Sequence, residues 1–246
     1  MRAAFSFQLL EGQIHIWSFP TKVSPHVVAA FERAIVPEER HRARRFRFDH
    51  LYASFVVAHG ALRHLLGHYI KCNPTEVSFV YGMKGKPALA FPSSIQFNMT
   101  HSGDLAVIAL TLRREIGVDL EQIRPMSDMQ QIADRFFCPE EASEVMSAPE
   151  TERERAFFRC WTRKEAYIKA TGDGLSAPLN SFRVTVHPDV PARFVHVQQS
   201  VTEAETWTLH DLQVAAGYAA ALAYRDQRRS LQLSFVVAPE ELIAIS

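Results

Sequence analysis

Hydrophobic and polar positions follow two different periods along this chain of 246 residues. Apolar residues recur every three to four positions over residues 52–69 and 151–171, a spacing that predicts two long amphipathic helices. Shorter helical patterns begin at Ser24-Pro25, at Pro37, at Asp128 and at Pro139. The segments between them alternate with a period of two and predict strands, so the chain as a whole is predicted to be an α+β protein.

The predicted strands form two groups. The first group contains an opening hairpin of residues 5–9 and 13–18, a short strand at 77–81 and a second hairpin over 95–112. A strand at 116–121 follows. The second group is predicted to close one antiparallel sheet and comprises residues 182–186, 194–198, 206–212, 219–224 and 231–237.

A weak internal echo links the two groups. GDLAVIALTL, which opens at Gly103, and GYAAALAYRD, which opens at Gly217, are similar apolar strands that each follow a glycine. The echo favours two related halves over one continuous sheet. We therefore expect an N-terminal half over residues 1–113 and a C-terminal half over residues 114–246.

Composition excludes several classes of protein. The hydrophobic fraction of 47% suffices for a core, and 27 Lys plus Arg balance 27 Asp plus Glu, so neither nucleic acid nor an anionic membrane is expected as main partner. No apolar run of 18 residues occurs, and we expect neither a signal peptide nor a membrane span. Three widely spaced cysteines indicate no disulfide framework or thiolate zinc site, which fits a cytoplasmic location.

The second long helix carries an acid and a base one turn apart. Glu165 and Lys169 are an i, i+4 pair at the edge of an apolar stripe, and Thr151 with Glu154 predicts a capping box while Gly172 predicts the stop. The stripe consists of Phe157, Trp161, Lys164 and Ile168. An exposed ion pair worth roughly 0.3–0.5 kcal/mol is one interpretation, and an acid and base at a site is the other.

Two carboxylates share one face of the strand at 116–121. The alternation places Asp119 and Glu121 together, opposite Val118 and Leu120. They form either a polar sheet edge or one wall of a cleft. In a cleft their mutual repulsion would be relieved by a hard cation such as Mg²⁺, which also binds phosphate oxygens.

Other polar residues have a structural and a functional interpretation. The arginines at 40, 42, 44 and 45 are a solvated helix face or an anion clamp, and Lys84 and Lys86 are turn residues or phosphate contacts. Thr100 and His101 cap a strand end or donate to an anion. Glu140 and Glu141 complement the dipole in the first turn of a helix.

Four segments jointly resemble one family at consistent spacing. They are KGKPAL, FNMTHSGDLAVIAL, IGVDLE, and RFFCPEE followed by FFRCWTRKEAYIKATGDGL. Together they make residues 37–182 similar to the Sfp-type 4′-phosphopantetheinyl transferases. The resemblance implies a pseudo-two-fold pair of α+β halves, each an antiparallel sheet packed with helices, and a coenzyme A site in the cleft between them. The implied reaction moves the 4′-phosphopantetheine arm of coenzyme A to a serine of an apo acyl or peptidyl carrier protein.

The resemblance also implies roles for ten residues. Asp119, Glu121 and Glu165 match the Mg²⁺ ligands, Glu141 matches the catalytic base and Lys169 the lysine that neutralises phosphate. The implied coenzyme A contacts are Arg42, Lys84, Lys86, Thr100 and His101. Thr100 stands where the family usually has serine, and Ser54 stands where many members have a phosphate-binding arginine, for which the arginines at 42–45 are the expected replacement.

Two other functions remain open from the sequence, and so does the docking surface. A catalytically silent module for coenzyme A or carrier proteins would keep the fold, and a Mg²⁺-dependent coenzyme A pyrophosphate hydrolase would keep the carboxylates. The chain is expected to act as a monomer. Ile123, Pro125 and Met126 either cap the sheet edge or form the carrier-docking surface, with Arg124 beside them.

Overall fold

The computed structural model describes residues 6–174 and 178–244, which fold into a mixed α+β structure. Its helices are α1 (Pro25–Glu32), α2 (Pro37–Ala43), α3 (Asp49–Ile70), α4 (Met129–Phe136), α5 (Pro139–Ser147), α6 (Arg153–Thr171), α7 (Val201–Glu205) and α8 (Glu241–Ala244). Its strands are β1 (Gln13–Pro20), β2 (Phe79–Tyr81), β3 (Pro87–Leu89), β4 (Ile95–Ser102), β5 (Leu105–Leu112), β6 (Ile116–Gln122), β7 (Phe182–Val184), β8 (Phe194–Val197), β9 (Trp207–Asp211), β10 (Tyr218–Arg225) and β11 (Ser230–Phe235).

The strands form two main sheets with the same internal plan. The first sheet has the order β11-β1-β5-β4 and the second has the order β6-β10-β9. In chain order each contains a strand, a long helix and a hairpin: β1, α3, β4 and β5 in the first, and β6, α6, β9 and β10 in the second. The two similar segments that open at Gly103 and Gly217 form β5 and β10, and each of these strands lies between two other strands of its sheet. The predicted relation between two halves therefore has a structural counterpart.

Three hydrophobic clusters place the sheets between layers of helices. The first cluster joins α1 and α3 to one face of the first sheet, through residues such as Phe31 and Trp17. The second joins α4, α5 and α6 to the second sheet, with Phe157 near its centre. The third lies between the sheets and includes Ile16 and Val118. Both faces of β1 are consequently buried, which explains why its burial does not alternate.

Two predicted pairings of strands are wrong. Residues 6–10 form no strand, and Phe5 lies outside the described residues, so no opening hairpin precedes β1. The last predicted strand, β11, does not close a sheet with its neighbours in sequence but pairs in parallel with β1. In addition, β7 and β8 form a separate two-stranded ribbon. Residues 230–244 thus pack with the first sheet, where Leu242 of α8 joins the cluster around α3.

The second long helix ends as predicted but begins later. Gly172 is its left-handed C-cap, with φ of 76°. Thr151, the predicted capping residue, instead lies in a short 3-10 turn at Glu150–Glu152, while Glu154 lies in the first turn of α6, which starts at Arg153 with no side-chain cap. Leu175, the last residue of the motif around this helix, lies outside the described residues.

The remaining global expectations concern membranes and cysteines. No helix within residues 6–174 and 178–244 is long and apolar enough to cross a membrane. All three cysteines are free, with Cys138 and Cys160 buried and Cys72 half-buried. Burial raises the pKa of the Cys138 thiol to about 11, so this side chain packs as an uncharged residue.

Candidate active site

A close approach between β6 and α6 brings the predicted acids and the lysine together. Gly117 faces the helix, and a Cβ atom built there would lie 2.1 Å from the carbonyl oxygen of Ala166. Only glycine fits a contact of this kind. Asp119 follows two residues later on the same face of the strand and therefore also points toward α6.

Polar side chains of β4 fasten the edge of the first sheet to β6. Asn98 Oδ1 accepts from the backbone N–H of Val118 at 2.9 Å, and Ser102 Oγ donates to Glu121 Oε2 at 2.8 Å. Between them, Thr100 Oγ1 donates to Asp119 Oδ1 at 3.3 Å. Alternate residues of one strand thus hold the strand that carries both predicted metal ligands. The candidate site lies across this junction of the two sheets.

Lys169 binds Asp119 rather than the glutamate one turn before it. Its Nζ atom lies 2.5 Å from Asp119 Oδ1 and 3.1 Å from Thr100 Oγ1. The Lys169 side chain is 30% exposed, whereas Glu165 is only 9% exposed as a residue. The interpretation of Glu165 and Lys169 as an exposed surface pair is therefore wrong.

Two buried carboxylate oxygens at this junction have no hydrogen-bond partner. They are Asp119 Oδ2 and Glu165 Oε1. Burial and then the neighbouring charge of Asp119 raise the pKa of Glu165 to about 7. Burial likewise raises the pKa of Asp119, although Lys169 opposes this, and burial raises the pKa of Glu121, opposed chiefly by its hydrogen bond to Ser102. Repulsion and desolvation of this kind are what a bound cation removes.

The carboxylate oxygens at this junction fit a hard cation that takes its remaining ligands from water or substrate. Within the described part of the chain, no group of three His, Cys, Asp or Glu side chains is arranged to enclose a metal ion. Mg²⁺ does not need such a cage, because it commonly uses one or two carboxylates together with water and substrate phosphate oxygens. Asp119 and Glu165 supply unpartnered oxygens, while Glu121 is already held by Ser102.

A pocket of about 700 Å³ opens beside these carboxylates, and several cationic side chains are among the residues that line it. Residues from both halves of the chain line it. They include Arg42, Lys84, Lys86, Thr100, His101, Glu165 and Lys169. All five predicted coenzyme A contacts therefore line one pocket, together with Glu165, a predicted metal ligand, and Lys169, the predicted phosphate-neutralising lysine.

Lys86 lines the pocket, and two hydrogen bonds to backbone carbonyl groups hold its side chain in place. Its Nζ atom donates to the carbonyl oxygen of Ala170 at 2.6 Å and to that of Ile116 at 3.0 Å. Burial lowers its pKa to about 8. Lys86 thus ties the β2–β3 loop to β6 and to the C-terminal end of α6, in addition to its predicted role as a phosphate contact.

His59, which was not among the predicted site residues, lines the same pocket. Its ring stacks on Phe55 with centroids 3.7 Å apart, and its Nδ1 atom lies 3.2 Å from the Phe55 carbonyl oxygen. Burial, with His101 and Arg42 nearby, lowers the pKa of His59 to about 3, so the ring is neutral. In the neutral ring, Nδ1 then carries the hydrogen and donates a hydrogen bond to the Phe55 carbonyl oxygen. Nothing in the spacing of residues along α3 distinguishes this histidine from His64 and His68.

Glu141 lies apart from the pocket, which contradicts its predicted role. It is completely buried, and Lys164 lies 2.7 Å from its Oε2 atom. Its two oxygens also accept from the backbone N–H groups of Cys138 and Val184 at 2.8 Å and 2.7 Å. A carboxylate with every oxygen engaged and no access to solvent cannot receive a proton from a substrate hydroxyl. Lys164 belongs to the apolar stripe predicted for α6, and Glu141 is the buried anion that neutralises it there.

Two further positions differ from their expected surroundings. Ser54 is buried and donates to Thr21 Oγ1 at 3.0 Å, so it does not reach the pocket. Of the arginines expected to replace a phosphate contact there, Arg42 is the one that lines the pocket. Ile123 and Met126 are partly buried against the cluster around α6, which supports the capping interpretation of that loop.

Comparisons with known proteins agree with this geometry. Residues 21–113 match the family model described as 4′-phosphopantetheinyl transferase, N-terminal, and residues 115–223 match that of the 4′-phosphopantetheinyl transferase superfamily. The chain is 37% identical over 207 residues to the 4′-phosphopantetheinyl transferase HetI of Nostoc sp., covering 83% of this chain and 84% of HetI. It is 36% identical to the putative 4′-phosphopantetheinyl transferase slr0495 of Synechocystis sp., covering 68% of each chain.

A third relative is Sfp, the protein after which the family suggested by the sequence motifs is named. The 4′-phosphopantetheinyl transferase Sfp of Bacillus subtilis is 31% identical over 159 residues, which cover 65% of this chain and 70% of Sfp. The two family models together span every residue that lines the pocket. This chain belongs to the 4′-phosphopantetheinyl transferase superfamily.

Proposed function

We propose that this protein transfers the 4′-phosphopantetheine arm of coenzyme A to a serine of an apo acyl or peptidyl carrier protein. The observation that carries the proposal is the cluster of Lys169, Asp119 and Thr100 beside the unpartnered oxygen of Glu165, at the wall of a pocket to which further cationic side chains contribute. A pyrophosphate needs cations, and a developing charge at phosphorus needs a fixed donor. Both are present at this junction.

The reaction breaks one phosphorus–oxygen bond and forms another. The serine oxygen attacks the β-phosphorus of coenzyme A, the bond from that phosphorus to the bridging oxygen breaks, and 3′,5′-ADP leaves with that oxygen. The serine hydroxyl loses its proton. Positioning and charge stabilisation account for most catalysis in phosphoryl transfer.

The residues of the pocket divide this work among them. Arg42, Lys84 and His101 hold the phosphate groups, with Lys86 fixing the loop below them. Lys169 stabilises charge on the leaving oxygen while its contacts to Thr100 and Asp119 keep it in place. Glu165 replaces Glu141 as the acceptor of the serine proton, directly or through water, because it lines the pocket and has an unpartnered oxygen, whereas the other lining glutamate, Glu39, is bound to Arg63.

Mg²⁺ is the cation that we propose for Asp119 and Glu165, with Glu121 beside them. When bound, it would neutralise the pyrophosphate and supply Lewis acidity. The two unpartnered oxygens and the raised carboxyl pKa values support a cation at this position. We propose that the monomer is the active unit, because residues from both halves of the chain line the pocket, and free cysteines support a cytoplasmic location.

The test is incubation with coenzyme A, Mg²⁺ and an apo carrier protein, followed by mass spectrometry. We expect the carrier to gain the mass of the arm and 3′,5′-ADP to appear in equal amount. Asp119→Asn should abolish both signals and weaken Mg²⁺ binding measured by calorimetry. Cleavage of coenzyme A without a heavier carrier would identify a hydrolase, and binding of coenzyme A without any product would identify a silent binding module.

A further inference from the structure

An exposed segment beside the pocket combines arginines with large apolar side chains. Every residue from 44 to 51, across the turn between α2 and α3 and into the first turn of α3, is exposed. Phe48 is 51% exposed, and Phe46 and Leu51 are each 38% exposed. We call this the Arg–Phe surface, which consists of Arg44, Arg45, Phe46, Arg47, Phe48 and Leu51.

The positive charge of this surface is not neutralised within the chain. Among the described residues, none lies in ion-pair distance of the guanidinium groups of Arg44, Arg45 and Arg47, whereas the exposed Arg114 and Arg155 each have an acidic partner within 4 Å. The Arg47 guanidinium instead lies 5.5 Å from the centroid of the Phe48 ring. Since the chain has no net charge, this is a local excess of cations.

The Arg–Phe surface is continuous with the wall of the pocket. The ring of Phe46 lies 5.6 Å from that of Phe55, and the Arg42 guanidinium lies 5.5 Å from the same Phe55 ring. Arg42 in turn lines the pocket, as does His59, which stacks on the same Phe55 ring. A macromolecule that covers the Arg–Phe surface therefore lies at the mouth of the pocket.

We propose that the Arg–Phe surface docks the acidic carrier protein whose serine is modified, an inference that rests on the proposed function. Aromatic residues and arginine are enriched in the energetically dominant part of protein interfaces, and charge complementarity guides the encounter. The arginines of this surface, which have no acidic partner within the described residues, are complementary to an acidic domain. Met126, the docking residue suggested by sequence, is partly buried against the core and offers less free apolar area.

Two single variants and one matched control test this surface. Phe48→Asp and Arg45→Glu should each raise KM for the carrier roughly tenfold, with kcat at saturating carrier and the affinity for coenzyme A unchanged. Phe235→Asp is the control, because Phe235 is 54% exposed but lies on β11. It should leave KM for the carrier unchanged. Added salt should raise KM of the parent more than that of Arg45→Glu.

The outcomes separate this proposal from the proposed function. If the parent loads no carrier, the function itself is wrong. If the parent loads carriers and both variants retain the parental KM, the docking surface is wrong while the function stands. Binding of the parent to vesicles of anionic lipid that Phe48→Asp abolishes, with KM unaffected, would assign the surface to membranes instead. Arg45→Glu keeps the test valid if Phe48→Asp lowers the melting temperature.

Discussion

Glu165 and Glu141 are both buried glutamates, and their surroundings give them opposite chemistry. Glu165 has an unpartnered Oε1 atom at the wall of the pocket, and burial and repulsion raise its pKa to about 7. Glu141 has both oxygens engaged by Lys164 and two backbone N–H groups. One carboxylate is available for a ligand, and the other holds elements of the protein together.

Glu165→Gln should lower turnover without unfolding the protein. Loss of a general base that also contacts the cation should reduce kcat by roughly 10² to 10⁴-fold. The amide removes a carboxylate that is costly to ionise in the folded state, so the free energy of unfolding at pH 8 should be equal to or above that of the parent. Steady-state kinetics and urea unfolding check the two parts. Parental turnover would show that another group receives the proton.

Glu141→Gln should instead destabilise the protein, because it leaves the Lys164 ammonium buried without its anion. Removing one partner of a buried ion pair costs about 3–5 kcal/mol, which urea unfolding would detect. The double substitution Glu141→Met with Lys164→Met should recover part of this loss, since both charges are then absent. Full stability of Glu141→Gln combined with a large loss of kcat would restore Glu141 as the catalytic base.

The sequence carried signals for some of these residues and not for others. Asp119 and Glu121 are adjacent on one face of a strand, and Glu165 and Lys169 are one turn apart, so local periodicity predicted their proximity. The partner of Lys164 could not be found in this way, because Glu141 lies on a different helix. A lysine at the centre of an apolar stripe nevertheless requires a buried anion, and that requirement was the available signal. His59 had no such signal.

At the scale of elements, the contact between β6 and α6 sets the geometry of the site. The carbonyl oxygen of Ala166 lies where a side chain at Gly117 would begin. This contact allows Lys169 to reach Asp119 at 2.5 Å. Lys86 reinforces it by donating to the carbonyl oxygens of Ile116 and Ala170, one from each element.

Gly117→Ala should therefore separate α6 from β6. A clash with backbone atoms costs about 1–3 kcal/mol or more, and we expect a lower melting temperature together with a lower kcat. Gly82→Ala is the matched control, because the nearest atom to its added Cβ would be the Lys86 carbonyl oxygen at 3.7 Å, an ordinary contact. Equal stability of the two variants would mean that β6 and α6 can move apart without consequence.

Elements built from local contacts were predictable, whereas their long-range partners were not. The hairpin of β4 and β5 follows from its turn residues and alternation, and the existence of α3 follows from its periodicity, although the helix begins at Asp49 and not at the predicted residue 52. Polar residues of β4 were recognised at Thr100 and His101, but Asn98 and Ser102 also bind β6 across the junction. Their role depends on the approach of another sheet, which alternation within β4 does not encode.

For the whole molecule, buried histidines predict sensitivity to acid. Burial lowers the pKa of His64 to about 4, and its Nδ1 atom has no hydrogen-bond partner. Between pH 6.5 and 4, His64 is protonated in the unfolded chain but remains neutral in the folded chain. The free energy of unfolding therefore falls as the pH is lowered through this range.

His64→Leu should reduce this sensitivity. Relative to the parent, the variant should gain up to about 3 kcal/mol on going from pH 7 to pH 4, measured by urea unfolding at each pH. The other histidines with lowered pKa values, His15, His59, His101 and His210, are present in both proteins and largely cancel in the difference. A gap between variant and parent that does not change with pH would mean that His64 is protonated as readily in the folded chain as in the unfolded one.

The position of β11 was the largest error of the sequence interpretation at this scale. Its apolar pattern predicts a strand but not a partner, and proximity in sequence favoured the second sheet. The parallel register, with Leu231 beside Ile14 and Leu233 beside Ile16, joins residues that are far apart in the chain. This pairing depends on the edge of β1 that β5 leaves unpaired, and that edge exists only once the first sheet has assembled.

The parallel pairing of β11 with β1 also has a consequence for biosynthesis. The ribosome completes β5 more than a hundred residues before it completes β11, a delay of roughly ten seconds at about 5–20 residues per second. During that time β1 has an open edge of unpaired N–H and C=O groups. Such an edge recruits other strands, so nascent chains of this protein should be clients of chaperones until residues 230–235 emerge.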